Sequence, residues 1–259
     1  MNIIWKIVAM LLITTTLLTA YSFSDYEIEF KGIVLKKTPI KEFILGIPEY
    51  PYGKALNLRD TLVGKEVQQP ADTASQRILL IGDSMLEGLM LRLKDYVAAN
   101  GHDLKTVIWY SSSTLWYGST DTLKYFIDEY KPTYIMLVLG ANELFVSDII
   151  RKRNKNVKHI IRQIDTLNYI WIGPPNWKDD TGINEMILKN VGPLHYFASK
   201  NLNYKRTSDG AHPTKASSAM WMDSIAVWVE NKSYKPIRLK KPDEKARNSA
   251  NVTILQPLR

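Results

Sequence analysis

The sequence predicts an α/β protein with a parallel sheet and helices on both of its faces. The first observation is a regular alternation of short apolar runs with helical patterns between residues 77 and 231. The second is that the apolar runs are uninterrupted, as in the stretch 134–139, which is typical of strands covered on both faces. A chain of 259 residues with 45% hydrophobic residues can also bury a large core.

The N-terminal residues 1–22 have the pattern of a segment that targets a membrane. Lys6 is the only early charge, and every residue from Ile7 to Ala20 is apolar or threonine. Ala20 and Ser22 give the small-x-small spacing at which signal peptidase cleaves. We therefore expect export to the periplasm or cell envelope. The segment is either a cleaved signal peptide or an uncleaved N-terminal anchor that associates the protein with the membrane.

Residues 23–76 form an N-terminal appendage and linker in this interpretation. Tyr26, Ile28 and Phe30 alternate with charged residues, which is typical of a half-buried strand. The stretch 65–76 is polar and resembles a linker. We expect this part to position the following domain relative to the membrane.

The regular pattern begins with a strand at Ile78–Ile81, which runs through Gly82 and Asp83 into Ser84 and a helix over 86–99. Ligands of open α/β folds bind at the carboxyl ends of such strands. The N-terminal amides of the following helix also favour developing negative charge there. Ser84 is therefore either a nucleophile or a residue that caps the helix.

The rest of residues 77–231 continues the alternation. Glycine or proline residues mark the ends of several elements. We predict strands at 106–110, 134–139, 169–172 and 201–206, and helices ending at 130 and spanning 147–165, 182–200 and 214–231, with a break near Gly192.

A carboxylate and an imidazole lie three residues apart before the last helix. Asp209 and His212 belong to a Gly- and Pro-containing loop. A carboxylate at this spacing can hold one imidazole nitrogen and leave the other to face a hydroxyl group. The alternative is that Asp209 only caps the turn and His212 has no role. The three other histidines have no comparable partner, and we interpret them as surface or core residues.

The end of the strand at 134–139 contributes a further candidate. Gly140 allows a close turn at the sheet edge, and Asn142 can place an amide donor there. Such a donor suits an oxyanion hole. The alternative is an ordinary asparagine turn after a strand.

Three motifs occur in order along the chain: Gly-Asp-Ser-Met at 82–85, Gly-Ala-Asn-Glu at 140–143 and Asp-x-x-His at 209–212. Together they resemble the SGNH (GDSL-type) hydrolase family, in an exported bacterial subgroup. The resemblance covers residues 77–231. It implies a flavodoxin-like three-layer α/β/α sandwich and ester hydrolysis through an acyl-serine. Ser84 would be the nucleophile, His212 the general base and then acid, and Asp209 the residue that orients His212. The backbone N–H of Ser84 and the side chain of Asn142 would donate to the oxyanion.

The sequence departs from the family pattern at two points. Glu143 replaces the usual aspartate after Asn142, which we expect to alter a supporting hydrogen bond and not the chemistry. The second motif of the family supplies a glycine N–H to the oxyanion hole, whereas residues 111–114 read Ser-Ser-Ser-Thr. We place Ser113 at that position, because a backbone N–H needs no particular side chain.

Aromatic residues crowd the predicted site. We predict Trp116, Tyr117 and Trp177, which lie in loops, as substrate contacts, and Trp109 and Trp171, which lie in strands, as core residues. With export, these aromatic residues favour an acylated carbohydrate, most simply an O-acetylated envelope or extracellular glycan, or a small ester as substrate. An O-acetyltransferase that works beside a membrane acyltransferase would need the same triad. A glycan-binding module without catalysis would not need it.

Composition excludes several other classes. The chain has no cysteine, so disulfides, a thiol nucleophile and zinc–thiolate sites are excluded. We expect neither a metal nor a cofactor. Eight of the 34 Lys and Arg residues, but only two acidic residues, lie in the tail 232–259. The net charge of +8 is therefore uneven, and without a reader fold it does not indicate a nucleic-acid partner. We expect this basic tail to be loosely ordered and to contact anionic lipid or polymer.

Overall fold

A computed structural model describes residues 3–23, 29–30, 33–34, 70–244 and 251–257. The chain divides into two compact units, Met1–Val67 and Gln68–Arg259. The expectations for the linker and for Tyr26 and Ile28 fall largely outside the described residues.

The described part of the first unit is small. Helix α1 spans Ile3–Phe23, and strands β1 (Glu29–Phe30) and β2 (Ile33–Val34) pair antiparallel. Within the described residues, no helix has both the length and the apolar character needed to cross a bilayer.

The second unit contains a six-stranded sheet in which every pairing is parallel. The strands are β3 (Arg77–Gly82), β4 (Asp103–Trp109), β5 (Tyr134–Val138), β6 (Asn168–Ile172), β7 (Tyr196–Phe197) and β8 (Asn251–Leu255). Their order across the sheet is β7-β6-β5-β3-β4-β8. The five strands from β3 to β7 thus have the flavodoxin-like order 2-1-3-4-5. The predicted fold class is therefore confirmed.

Helices cover both faces of this sheet. They are α2 (Leu86–Asn100), α3 (Thr114–Tyr117), α4 (Thr122–Tyr130), α5 (Ile149–Ile164), α6 (Ile183–Val191) and α7 (Lys215–Lys232), with 3₁₀ turns at Ala141–Glu143 and Ser199–Asn201. Ile78 and Leu80 join the core beneath α2 and α7, which contact each other. Leu79 and Ile81 point to the opposite face and are also fully buried. Three further helices, α3, α4 and α6, contact α5.

The C-terminal tail is more ordered than its composition suggests. Strand β8 extends the sheet beyond β4, and the Trp109 indole N–H donates to the Gln256 carbonyl at 2.9 Å. Ile237 and Leu239 are each only 2% exposed. The expectation of a loose tail is therefore wrong for its described residues. The open edge of β4 offers backbone hydrogen bonds to β8. Burial of a few apolar side chains in the tail, such as Ile237 and Leu239, stabilises its order despite its many charges.

The last predicted strand is misplaced. The structure has strand β7 at Tyr196–Phe197 and a 3₁₀ turn at Ser199–Asn201, where we expected a strand at 201–206. Helix α6 ends at Val191, because Gly192 adopts a φ of 79°. The short apolar pair that follows it is then free to pair with β6.

Candidate active site

Ser84 lies at the carboxyl end of β3 because Gly82 lets this strand pass very close to β5. A Cβ atom on Gly82 would lie 1.8 Å from the carbonyl oxygen of Val138. The Asp83 N–H donates to the same oxygen at 3.0 Å. The residue that caps α2 is Met85, without a side-chain cap. The capping alternative for Ser84 is therefore wrong, and its hydroxyl is available for another partner.

That partner is His212, which is 128 residues away in the sequence. His212 Nε2 lies 2.9 Å from Ser84 Oγ, and its Nδ1 lies 2.7 Å from Asp209 Oδ2. Both distances are within hydrogen-bonding range. The tautomer in which Nδ1 carries the proton satisfies the carboxylate and leaves Nε2 to accept the proton of the serine. The structure thus brings the three predicted residues together in the order that nucleophilic catalysis requires.

The carboxylate of Asp209 is held by its own loop. Its Oδ1 accepts hydrogen bonds from Thr207 Oγ1 at 2.7 Å, from the Ala211 N–H at 2.8 Å and from the His212 N–H at 3.0 Å. These donors and the His212 ring hold the pKa of Asp209 well below its usual range. Asp209 therefore stays ionised and orients the imidazole.

Arg206 joins the His212 loop to the loop that follows β6. Its guanidinium donates to the carbonyl oxygens of Pro175 at 2.9 Å, Asn176 at 2.6 Å and Ala211. Sequence reasoning missed this residue, because its acceptors are backbone atoms that leave no sequence signal. Arg206 thus fixes the position of the His212 loop relative to a neighbouring wall of the site.

Asn142 lies in the 3₁₀ turn that follows β5, and β5 is a neighbour of β3 in the sheet. Its Nδ2 donates one hydrogen to the Ser112 carbonyl at 2.9 Å, and the amide has a second hydrogen to donate. Among the described residues, the backbone N–H groups of Ser84 and Ser113 have no acceptor. Three donors therefore remain for a ligand, which leaves the predicted oxyanion hole consistent with this geometry.

Glu143 connects the segment 111–114 with the turn that carries Asn142. This carboxylate is 1% exposed and accepts from the Thr114 N–H at 2.7 Å, from Thr114 Oγ1 at 2.8 Å and from Arg153 Nε at 2.8 Å. Burial raises the pKa of Glu143, and these donors oppose that shift. Since Ser113 and Asn142 are sequence neighbours of the bonded residues, Glu143 holds both oxyanion candidates in place. The longer side chain therefore supports the site and does not enter the chemistry.

Asp83, next to Ser84, is a buried carboxyl group with incomplete hydrogen bonding. Its Oδ1 accepts from the Met85 N–H at 2.9 Å, whereas its Oδ2 has no partner among the described residues. Burial is the main cause that raises the pKa of Asp83 to about 7, and the Met85 and Ala141 N–H groups oppose it. The side chain is therefore largely protonated below neutral pH.

We expect the free energy of unfolding to fall as the pH rises from about 4 to about 7 on account of Asp83. In that window the native state holds a proton that the unfolded state, with a pKa near 3.8, has lost. The loss amounts to about 4 kcal/mol, and it should be absent in Asp83→Asn, which cannot titrate. Urea unfolding of both proteins at pH 4.5, 6 and 8 measures the difference in slope. Parallel pH profiles would contradict the assignment.

The predicted aromatic contacts meet different outcomes. Tyr117 is fully buried, and its ring lies 5.1 Å from that of Trp109, so its prediction as a substrate contact is wrong. Its place on the inward face of the short helix α3 is the reason. Trp116 is half-buried and also packs on Trp109. Trp177 is half-buried beside the turn that carries Asn142, since its indole N–H donates to the Ala141 carbonyl at 3.0 Å.

The core tryptophans and the remaining histidines agree with their predicted structural roles. Trp109 and Trp171 are buried. His102 is buried between the Gln76 N–H and the Arg238 carbonyl, and His195 stacks on a tyrosine ring. In the part of the chain that the structure describes, no group of three or more acidic or histidine side chains could hold a metal ion.

No family model and no curated protein matches the chain. Among solved structures, the chain is similar to the psychrotrophic esterase EstA from Pseudoalteromonas sp., with 17% identity, coverage of 60% of this chain and 99% of that one, and a TM-score of 0.42. The family 3 carbohydrate esterase of Clostridium thermocellum has 15% identity, coverage of 61% and 95%, and a TM-score of 0.44. The lipase/acylhydrolase from Enterococcus faecalis has 19% identity, coverage of 60% and 95%, and a TM-score of 0.45.

Proposed function

We propose that the protein is a serine esterase that removes O-acetyl groups from an envelope or extracellular carbohydrate through an acyl-serine intermediate. The observation that carries the proposal is the continuous chain from Ser84 Oγ to His212 Nε2, at 2.9 Å, and from His212 Nδ1 to Asp209 Oδ2, at 2.7 Å. A serine, a base and a residue that orients the base have no common structural task that would bring them together.

The reaction follows from these contacts. Ser84 Oγ attacks the ester carbonyl carbon while His212 Nε2 takes its proton, and Asp209 stabilises the resulting imidazolium. The oxyanion accepts hydrogen bonds from Ser84 N–H, Ser113 N–H and the Asn142 amide. His212 then returns the proton to the departing alcohol, and the ester C–O bond breaks. Water, activated by the same imidazole, hydrolyses the acyl-serine to release the acid.

A substituent on a polymer suits the openness of this site. The His212 and Asp209 side chains are 38% and 49% exposed, so the triad lies at the surface and not at the end of a tunnel. An acetyl group that projects from a glycan chain can reach such a serine without the polymer entering the protein. The apolar N-terminal stretch with Lys6 supports export to the compartment where such glycans lie.

The test compares p-nitrophenyl esters of increasing acyl length with an acetylated glycan such as acetylated xylan. We expect p-nitrophenyl acetate to be the best of the series, acetate to be released from the glycan, and a fluorophosphonate probe to label Ser84. Added sugar acceptors separate the alternatives, because a transferase would pass the acetyl group to the sugar and not to water. Absence of both turnover and probe labelling would overturn the proposal.

A further inference from the structure

A groove lies beside the turn that carries Asn142. It has a volume of about 360 Å³, and its walls are formed by Leu144, Phe145, Lys178, Asp179 and Thr181. None of these residues belongs to the triad or to the oxyanion donors, so the groove offers binding surface that the chemical steps do not use.

Both walls of the groove are connected to the turn that carries Asn142. Phe145 follows Asn142 by three residues on the same loop. On the other wall, the Trp177 indole N–H donates to the Ala141 carbonyl at 3.0 Å. Arg206 bonds to Pro175 and Asn176 of this second loop, as described above. A ligand in the groove would therefore contact the loop that carries Asn142 and the loop that Arg206 holds.

The groove has an aromatic surface with a cation at its edge. Phe145 is 59% exposed, which leaves a large apolar ring in contact with water. The Lys178 ammonium lies 5.7 Å from the centroid of the Phe145 ring and 4.9 Å from that of Trp177. Neither Lys178 nor Asp179 forms an ion pair with another described residue. Apolar contact, a donor and an acceptor are therefore all available in one place.

We propose that this groove binds a neutral pyranose ring of the glycan, adjacent to the acetyl group that Ser84 attacks. This inference rests on the proposed function and names its carbohydrate subsite. The apolar C–H face of the sugar packs on Phe145, while its hydroxyl groups accept from Lys178 and donate to Asp179. Hydroxyl groups do both, so they match an edge that carries one charge of each sign.

A long acyl chain is the competing occupant, and the charges at the edge disfavour it. An alkyl chain in the groove would remove Lys178 and Asp179 from water without replacing their hydrogen bonds, which costs free energy. A sugar replaces them. An anionic sugar would gain from Lys178 but would be repelled by Asp179, so the neutral ring fits better.

The first experiment measures kcat/KM on acetylated xylo-oligosaccharides and on p-nitrophenyl acetate for Phe145→Ala. We expect kcat/KM on the oligosaccharide, divided by kcat/KM on p-nitrophenyl acetate, to fall roughly three- to tenfold in Phe145→Ala, which is the effect of losing one aromatic contact. Phe145→Tyr should restore this ratio. The matched control is Tyr125→Ala, because Tyr125 is an equally exposed aromatic residue on α4, with 61% exposure. A variant that merely folds poorly lowers both values and leaves the ratio unchanged, which would contradict the subsite.

The second experiment separates this inference from the proposed function. In the Ser84→Ala background, which does not consume the ligand, calorimetric titration with the same oligosaccharide measures binding alone. We expect Phe145→Ala to weaken this binding by a similar factor. Equal binding with and without the Phe145 ring would overturn the subsite even if the enzyme is active. Conversely, an inactive wild type that still needs Phe145 for binding would overturn the esterase and keep the subsite. A preference for long-chain esters that Phe145→Ala abolishes would identify an acyl pocket instead.

Discussion

Ser84→Ala should lower the hydrolysis of p-nitrophenyl acetate by on the order of 10⁴–10⁶-fold, because it removes the hydroxyl oxygen that is placed to form the acyl-enzyme. The hydroxyl group of Ser84 contacts His212 Nε2 at 2.9 Å and does not cap helix α2. Its loss should therefore change the free energy of unfolding by no more than ~0.5 kcal/mol. Initial rates, together with urea unfolding of the same samples, measure both effects.

The control for this variant is Ser147→Ala. Ser147 is an exposed serine whose hydroxyl group accepts a hydrogen bond from Lys152 Nζ at 3.3 Å, so its removal should affect neither activity nor stability measurably. Fluorophosphonate labelling adds a direct readout, since the wild type and Ser147→Ala should be labelled and Ser84→Ala should not. Wild-type turnover by Ser84→Ala would exclude this serine as the nucleophile.

Asn142→Ala should lower kcat by on the order of 10²–10³-fold with a much smaller change in KM. The second hydrogen of the Asn142 amide is the one that we assign to the oxyanion. That hydrogen bond strengthens as the tetrahedral intermediate forms, so its loss affects the transition state more than the bound substrate. The loss of transition-state stabilisation corresponds to about 3 kcal/mol.

Asn142→Asp should be more harmful than Asn142→Ala. A carboxylate would repel the developing negative charge, and it would also face the Ser112 carbonyl, which now accepts from Asn142 Nδ2 at 2.9 Å. If Asn142 only shapes the turn after β5, both variants should lose thermal stability and keep their activity per folded molecule. Measurements of kcat, KM and melting temperature on the two variants separate these outcomes. An unaltered kcat with a lower melting temperature would remove Asn142 from the mechanism.

The sequence by itself determined the fold class and the three residues that we propose as the triad. The alternation of buried strands and helices specifies a parallel sheet, because short connections and right-handed crossovers leave few other arrangements. The carboxyl ends of parallel strands meet at one edge of the sheet. Ser84 and Asn142 follow the ends of β3 and β5, which are neighbouring strands, so the two residues lie at the same edge. Asp209 and His212 are close in the chain, so their pairing is a local property of one loop.

The tertiary structure decided everything that depends on contacts between distant segments. The direction of Tyr117 follows from the packing of α3, and the order of the tail follows from the free edge of β4 that receives β8. Glu143 acts through Thr114, and Arg206 acts through the carbonyl groups of another loop. None of these contacts follows from local spacing, since hydrogen bonds and packing between remote residues exist only once the chain has folded.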